Sequence, residues 1–418
     1  MLLHSLRVGL KVLARRPFFT FVSLFGIALT LAVLTVATAL LDHTFGSVAP
    51  EVHADRMLGI FQIEMSNGEG RHYRGEAGFS LLDRNLRGLE LAEEMSLFTI
   101  PSALVTFVDG RKVPLDLRRV DGAFFRVLQF DFLEGGPLTD DDDAEARPVA
   151  VISERARQLL FGNAPAVGQT FELDSQRLRV QGVVRTIPDF RPISAADVWV
   201  PIQSARSDSY RRGLTGRFQA LLLARERSDL GALRSEVEGR LATVDPSSET
   251  EFQSFSTYVD SPFDALSREL LDLYGEEHAG LAPGSRMKML IAVGMLLFMA
   301  LPSLNLVNLN LSRILERVSE IGVRKSFGAS SRALVAQFLV ENLVLTLLGG
   351  ALGFVFGALG LNAISGSAFV SYAELGLNAS VFAWGLLLIT IFALISGVYP
   401  AWRMSKLHPK EALEEKPS

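Results

Sequence analysis

Apolar positions in this chain collect into long unbroken runs more than they alternate with polar ones, and four of the runs are long enough to matter for a membrane. Residues 17–41 read PFFTFVSLFGIALTLAVLTVATALL, and residues 289–311 read MLIAVGMLLFMALPSLNLVNLNL, both without a charge. Residues 334–361 are interrupted only by Glu341 near their start, and residues 381–402 are again uncharged. A helix needs roughly 20 mostly apolar residues to cross the hydrocarbon core, so the pattern predicts four transmembrane helices. Between the first two runs the pattern changes. Short stretches rich in β-branched and aromatic residues predict strands at 56–65, 103–109, 148–152, 177–184 and 218–224. Helices are predicted at 80–87, 154–161, 229–244 and 262–274. In the third of these, Leu230, Leu233, Val237 and Leu241 keep the three-and-four spacing of one buried face. Asn67-Gly68, Asp109-Gly110 and Asp245-Pro246 mark turns. The expected fold class is an α-helical membrane protein with four transmembrane helices and a large inserted extracytoplasmic α+β domain built as two subdomains.

Charge then orients the chain. Arg7, Lys11, Arg15 and Arg16 precede the first run, and Arg313, Arg317, Arg324, Lys325 and Arg332 separate the second from the third. Arg403, Lys406, Lys410 and Lys416 follow the fourth, whereas the connection 362–380 has no lysine or arginine. Basic flanks stay in the cytoplasm. Both termini and the loop 312–333 are therefore expected there, with 42–288 outside. Residues 1–41 then hold a basic N-terminal segment and the first span, and 289–418 hold spans two to four, the loop and the tail. Ala37-Thr38-Ala39 offers a signal-peptidase site, but cleavable apolar regions are about 7–15 residues long, so a retained anchor is expected. In 2–16, Leu6, Leu10 and Leu13 lie at helical spacing with Arg7, Lys11 and Arg15 on another face. That suits an amphipathic helix on membrane lipid and equally a plain basic flank.

Within the runs a few residues stand out. Gly349, Gly353 and Gly357 recur every four residues, a stripe for close helix packing within the chain or between two copies. Pro302 predicts a kink. Glu341, within two turns of the cytoplasmic end, suits snorkelling or a pair with a loop arginine better than a proton relay.

Composition removes several kinds of chemistry. A formal charge of −5 argues against nucleic-acid binding, and the absence of cysteine excludes disulfides, cysteine zinc sites and thiol catalysis. His4, His43, His53, His72, His278 and His408 form no HExxH or close pair, so no metal site is expected. The acidic run at 140–143 lacks the spaced ligands and glycine of a calcium loop and reads as a solvated loop. No G-x-x-x-x-G-K-[ST] phosphate loop occurs. Neither catalytic residues nor a cofactor is expected in this chain.

Residues 312–353 read SRILERVSEIGVRKSFGASSRALVAQFLVENLVLTLLGGALG. This resembles the loop of MacB/FtsX-like ABC transporter permeases, with its ER-x-x-EIG-x-R-x-x-GA pattern, at Glu316, Arg317, Glu320, Ile321, Gly322, Arg324, Gly328 and Ala329. The tail at 396–413 looks like the family's ending, and 120–188 is similar to the MacB-type periplasmic core domain. The resemblance implies a bacterial inner-membrane permease whose loop docks on a cytoplasmic ABC ATPase dimer, which would bind the ATP and magnesium. Arg317, Glu320, Arg324 and Lys325 would make charged contacts there, Ile321 and Phe327 would anchor, and Gly322 and Gly328 would permit close approach. It further implies a second permease copy or paralogue, a periplasmic adaptor or substrate protein, and no nucleic acid. The implied activity couples ATP hydrolysis on a separate chain to movement of the external domain, for export or extraction of a peptide, lipoprotein or other amphiphile. The alternative is an FtsX-like regulator of an extracytoplasmic cell-wall hydrolase, although such members usually carry a smaller external domain.

Overall fold

The computed structural model describes residues 17–68, 70–189, 191–248, 250–274, 281–315, 323, 331–365 and 379–405. In chain order its elements begin with α1 (Pro17–Phe45), β1 (Met57–Ser66), β2 (His72–Gly75), α2 (Phe79–Leu86), β3 (Ala92–Thr99), β4 (Ser102–Val108) and β5 (Arg111–Val120). They continue with α3 (Phe124–Val127), β6 (Phe132–Gly135), α4 (Asp140–Ala144), β7 (Val149–Ser153), α5 (Glu154–Phe161), β8 (Thr170–Leu173) and β9 (Gln176–Val184). Last come β10 (Val198–Pro201), β11 (Phe218–Ala224), α6 (Leu230–Leu241), β12 (Ser254–Asp260), α7 (Pro262–Leu270), α8 (Pro283–Leu315), α9 (Ser331–Ser365) and α10 (Ala379–Ser405). The chain divides into two compact units: one is His43–Met287, and the other joins the residues up to Asp42 with those from Lys288 onward.

The second of these units is helical. Among the described residues three helices are long and apolar enough to cross a membrane, over Thr20–Asp42, Pro283–Leu301 and Leu339–Ser365. α10 carries a shorter apolar stretch, Phe382–Ile395. α8 continues as one helix through Pro302. Ile27 and Leu31 of α1, Met299 of α8, and Ile389 and Ala393 of α10 form a buried apolar cluster.

His43–Met287 is built on one mixed sheet of twelve strands, in the order β12-β1-β11-β3-β5-β10-β7-β9-β6, with β2 beside β1, β4 beside β5 and β8 beside β9. Strand side chains alternate between faces, and here the alternation feeds separate cores. Ala220, Leu222 and Ala224 of β11 enter a core capped by Leu81, Leu82 and Leu86 of α2 and by Leu233, Val237 and Leu241 of α6. Leu221 and Leu223 enter the opposite core, with Phe124, Phe125 and Val127 of α3 and with Trp199 of β10. On β1 the inward residues run Leu58, Ile60, Ile63, Met65, a change of parity after Ile60. A bulge against β12 between Ile60 and Ile63 supplies the extra residue. Further along the sheet, Ala150 and Ile152 of β7 join Val198 and Val200 of β10 in a third core with Ala156 of α5.

The two expected subdomains share one sheet. The core containing Trp199 runs along one face from β1 to β9, while the other face carries two cores, one at each end. The two halves of the sheet meet at β3 and β5, where the ladder has a single register pair, Phe98 with Val120. Side chains extend it: Arg119 N donates to Thr99 Oγ1 at 3.0 Å, and Leu97 N donates to Asp121 Oδ2 at 2.8 Å.

The acidic run is corrected. Residues 140–143 open the helix α4, with Thr139 as its cap in a reciprocal capping box with Asp142. Acidic groups in a first helical turn suit the free N–H groups and the positive end of the helix dipole. Asp142 is buried and accepts from Thr139 N and Oγ1, Gln181 Nε2 and Arg147 Nη1 at 2.8–3.0 Å.

Candidate functional site

The glycine stripe of α9 lies against α1 of the same chain. A methyl group placed on Gly349 would fall 2.7 Å from Ile27 Cγ2, and one on Gly353 would fall 2.9 Å from Leu31 Cβ and 3.1 Å from the Ala28 carbonyl oxygen. At Gly357 the nearest atoms, in Thr35, stand 3.5 Å away. Omitting three side chains lets the helices approach to backbone contact over two turns. Three threonines of α1 are satisfied within the helix: the Thr30, Thr35 and Thr38 hydroxyls donate to carbonyls four residues back at 2.6–2.8 Å. α10 completes the packing. Phe354 of α9 meets Phe382 edge-on at 5.1 Å, and Asn342 Nδ2 lies 3.5 Å from the Ala393 carbonyl oxygen. Glu341 is enclosed among these helices, 3% exposed.

Every residue of the predicted docking loop (Glu316, Arg317, Glu320, Ile321, Gly322, Arg324, Lys325, Phe327 and Gly328) lies outside the described residues, as does the basic segment 2–16. The described helices on either side end at Leu315 and begin at Ser331. Among the described residues no group of three histidine, aspartate or glutamate side chains is placed to hold a metal ion.

Sequence reasoning missed a second constellation, in the His43–Met287 unit, where the chain joins and leaves the sheet. On the incoming side Glu51 is buried and accepts from Arg191 Nη1 at 3.1 Å and Ser194 Oγ at 2.6 Å, while Arg191 also donates to the Val48 carbonyl at 3.0 Å. Burial pushes the Glu51 carboxyl up against the opposing pull of Arg191. Arg118, fully buried beside Phe98, donates to the Pro192 and Ala195 carbonyls, and burial brings its guanidinium down to about 9. On the outgoing side Arg268 grips Asp260 with two bonds of 2.8 and 3.0 Å and lies 3.9 Å over the Tyr258 ring. Ser261 caps α7, and Asp264 accepts from Gly284 N at 2.9 Å, tying the start of α7 to the first turn of α8. Only the Ser-Pro-x-Asp start of α7 announces itself in sequence. The buried arginines carry no periodic signal.

Apolar helices thus bracket a sheet domain inserted between the first and the second of them, the layout of a membrane protein with one large domain outside its apolar helices. Residues 20–240, more than half of the chain, match the model of the MacB-like periplasmic core domain, and residues 292–409 match that of the FtsX-like permease C-terminal region. The chain belongs to the MacB/FtsX-like family of ABC permeases. The macrolide export ATP-binding/permease protein MacB of Pasteurella multocida is 26% identical over 306 residues, covering 73% of this chain and 44% of the relative. The ABC transporter permease YknZ of Bacillus subtilis is 24% identical over 332 residues, covering 79% and 77%. The chain thus spans less than half the length of that MacB. Among solved structures, the extracellular domain of the noncanonic ABC-type transporter YknZ from Gram-positive bacteria aligns with a TM-score of 0.37 at 12% identity, over 48% of this chain and 99% of that one. The periplasmic region of MacB from Actinobacillus actinomycetemcomitans aligns with a TM-score of 0.37 at 16% identity, over 53% and 94%.

Proposed function

We propose that this chain is the membrane subunit of a MacB-like ABC transporter, moving its external domain in response to ATP turnover on a partner. The observation that carries the reading is the pairing on one chain of a MacB-like core domain at 20–240 with an FtsX-like permease region at 292–409. In this reading four helices span a bacterial inner membrane, both termini face the cytoplasm, and a second permease and an ATPase dimer complete the complex. These 418 residues hold no phosphate loop, so we assign ATP hydrolysis to the partner subunit. The glycine seam supports a mechanical role. The loop 312–333 leads directly into α9, α9 is packed backbone-close on α1, and α1 runs directly into the sheet domain. A shift of the loop would therefore move α9 and α1 together and reach the external domain through covalent connection, a rigid-body switch. The cargo in this reading is a peptide, lipoprotein or other amphiphile handled outside the membrane and passed to a periplasmic partner.

The test is affinity purification of the tagged chain from native membranes, alongside the double substitution Glu320→Arg with Arg324→Glu. An ABC ATPase that co-purifies with the unaltered chain and is lost from the variant is the expected result. Absence of an ATPase from the unaltered chain, under conditions that keep other ABC complexes intact, would overturn the reading. Recovery of a cell-wall hydrolase on the external domain would favour the FtsX-like regulator instead.

A further inference from the structure

A cavity of about 200 Å³ opens in the His43–Met287 unit, walled by the same incoming and outgoing segments that join the sheet to the apolar helices. Thr44 and Glu51 line it from the incoming side, Phe61, Gln62 and Tyr258 from the sheet, and Leu266 and Tyr274 from α7 and the turn after it. Its size is below the roughly 300–1,000 Å³ that encloses a drug-sized ligand, so it suits the end of a molecule: an aromatic ring or a branched alkyl group.

The charge balance selects what that end carries. Three carboxylates line the cavity, those of Glu51, Asp260 and Glu269, with the guanidinium of Arg268, while those of Arg191 and Arg118 stand behind Glu51. Arg268 is committed to Asp260 by two bonds, and Glu51 to Arg191 and Ser194. The exposed Glu269 has no ion-pair partner among the described residues. Gln62, placed in the β1 bulge, has its side-chain oxygen without a hydrogen-bond donor among the described residues. What remains unmet is acceptor capacity beside an aromatic and aliphatic wall. An anion would meet the Glu269 carboxylate, which no guanidinium answers among the described residues, and a neutral apolar group would leave the buried Gln62 oxygen without a donor.

We propose that this cavity binds the ammonium-bearing apolar end of a small amphiphile, with Glu269 receiving the cation and Phe61, Leu266 and Tyr274 holding the apolar body. The binding stands on the cavity alone; its use in transport rests on the permease reading. Because the ligand would touch both the incoming and outgoing segments, its occupancy would bear on the joints through which the domain is moved.

The experiment uses the full chain in lipid nanodiscs, with empty nanodiscs subtracted, and measures binding of 2-phenylethylammonium, 2-phenylethanol and phenylacetate by saturation-transfer NMR and equilibrium dialysis. The expected result is saturable binding of the ammonium, about tenfold tighter than the alcohol, with phenylacetate weakest. Glu269→Gln should erase most of that preference, and Glu269→Lys should turn it toward phenylacetate. Ala265→Trp should abolish binding by filling the cavity. Should that variant fail to fold, the two Glu269 variants decide the matter. Equal binding of all three probes, no saturable binding of the ammonium, or a preference unchanged by Glu269→Lys would overturn the proposal. The ATPase co-purification tests the permease reading independently, so either can fail alone.

Discussion

Glu51 is one carboxylate within reach of two buried guanidiniums, those of Arg191 and Arg118. Removing one partner of a buried pair leaves an uncompensated charge, at a cost of about 3–5 kcal/mol. Glu51→Ala should therefore lower the urea midpoint of the sheet unit, followed by the emission of the buried Trp199 in detergent-solubilised chain that carries Trp384→Phe and Trp402→Phe. An unchanged midpoint would mean that the pair is not structural. Asp142 makes the opposite kind of contribution. Burial works to raise its carboxyl, but bonds from Gln181, Thr139 and Arg147 outweigh it and bring the group down to about 2. A carboxyl that is more acidic when folded contributes stability that is present above its ordinary value near 4 and is lost as pH falls toward 2. Unfolding midpoints measured from pH 6 to pH 2 should thus fall on the acid side, and Asp142→Asn should flatten that part of the profile. Four aspartates in a row suggested solvent because their count outweighed their context. The legible signal was Thr139, three residues before Asp142, in the spacing of a capping box. Arg118 and Arg191 had no such marker. An arginine inside a core can be read only from the carbonyls and carboxylate around it, and Glu51 and Arg191 are 140 residues apart.

At the scale of elements the seam between α1 and α9 gives a graded prediction. Gly349→Ala and Gly353→Ala place a methyl within 3 Å of α1 atoms, whereas Gly357→Ala meets ordinary contact distance. The first two should each cost about 1–3 kcal/mol, as overpacking does, and so lower the thermal midpoint of the helical unit in detergent, and the third should be close to neutral. Equal behaviour of all three would contradict the seam. The four-residue spacing showed the stripe in sequence, but not which helix it meets. Strand β5 was harder to see. Arg111–Val120 carries five charged residues and Pro114, which argues against a central strand. The fold accommodates them because β5 near Pro114 has only β4 registered beside it, with β10 pairing from Leu117 onward. By contrast Phe218–Ala224 and Glu154–Phe161 were read to the residue, the first an apolar run broken only by Gln219, the second opened by Ser153 at its cap.

At the scale of the molecule, the halves of the sheet are joined by one register pair reinforced by Thr99 and Asp121. Asp121→Ala removes the acceptor for Leu97 N and Ser96 Oγ. Amide exchange should then quicken at 95–99 and 118–121 while the amides of β7 and β9 keep their protection. Uniform loss of protection would mean that the halves do not open separately. The division into apolar helices and an inserted domain was legible because it rests on runs of 20 residues or more. The order of the strands was not, since β1 pairs with β11 across some 160 residues, and no local pattern records such a pairing.

That arrangement brings β1 and β12 side by side, with Gly59 registered against Asp260. Partners across an antiparallel ladder stand about 4.5–5.5 Å apart, so some two hundred residues leave and return through a gap that one or two residues could bridge. The sheet domain is in this sense a detachable cassette. Excising 58–261 and closing the cut with a short glycine–serine link asks for almost no loop-closure entropy, and the helices should still insert. The same closeness of ends means that the excised domain could be circularly permuted, its old termini joined and new ones opened at the Asp109-Gly110 turn.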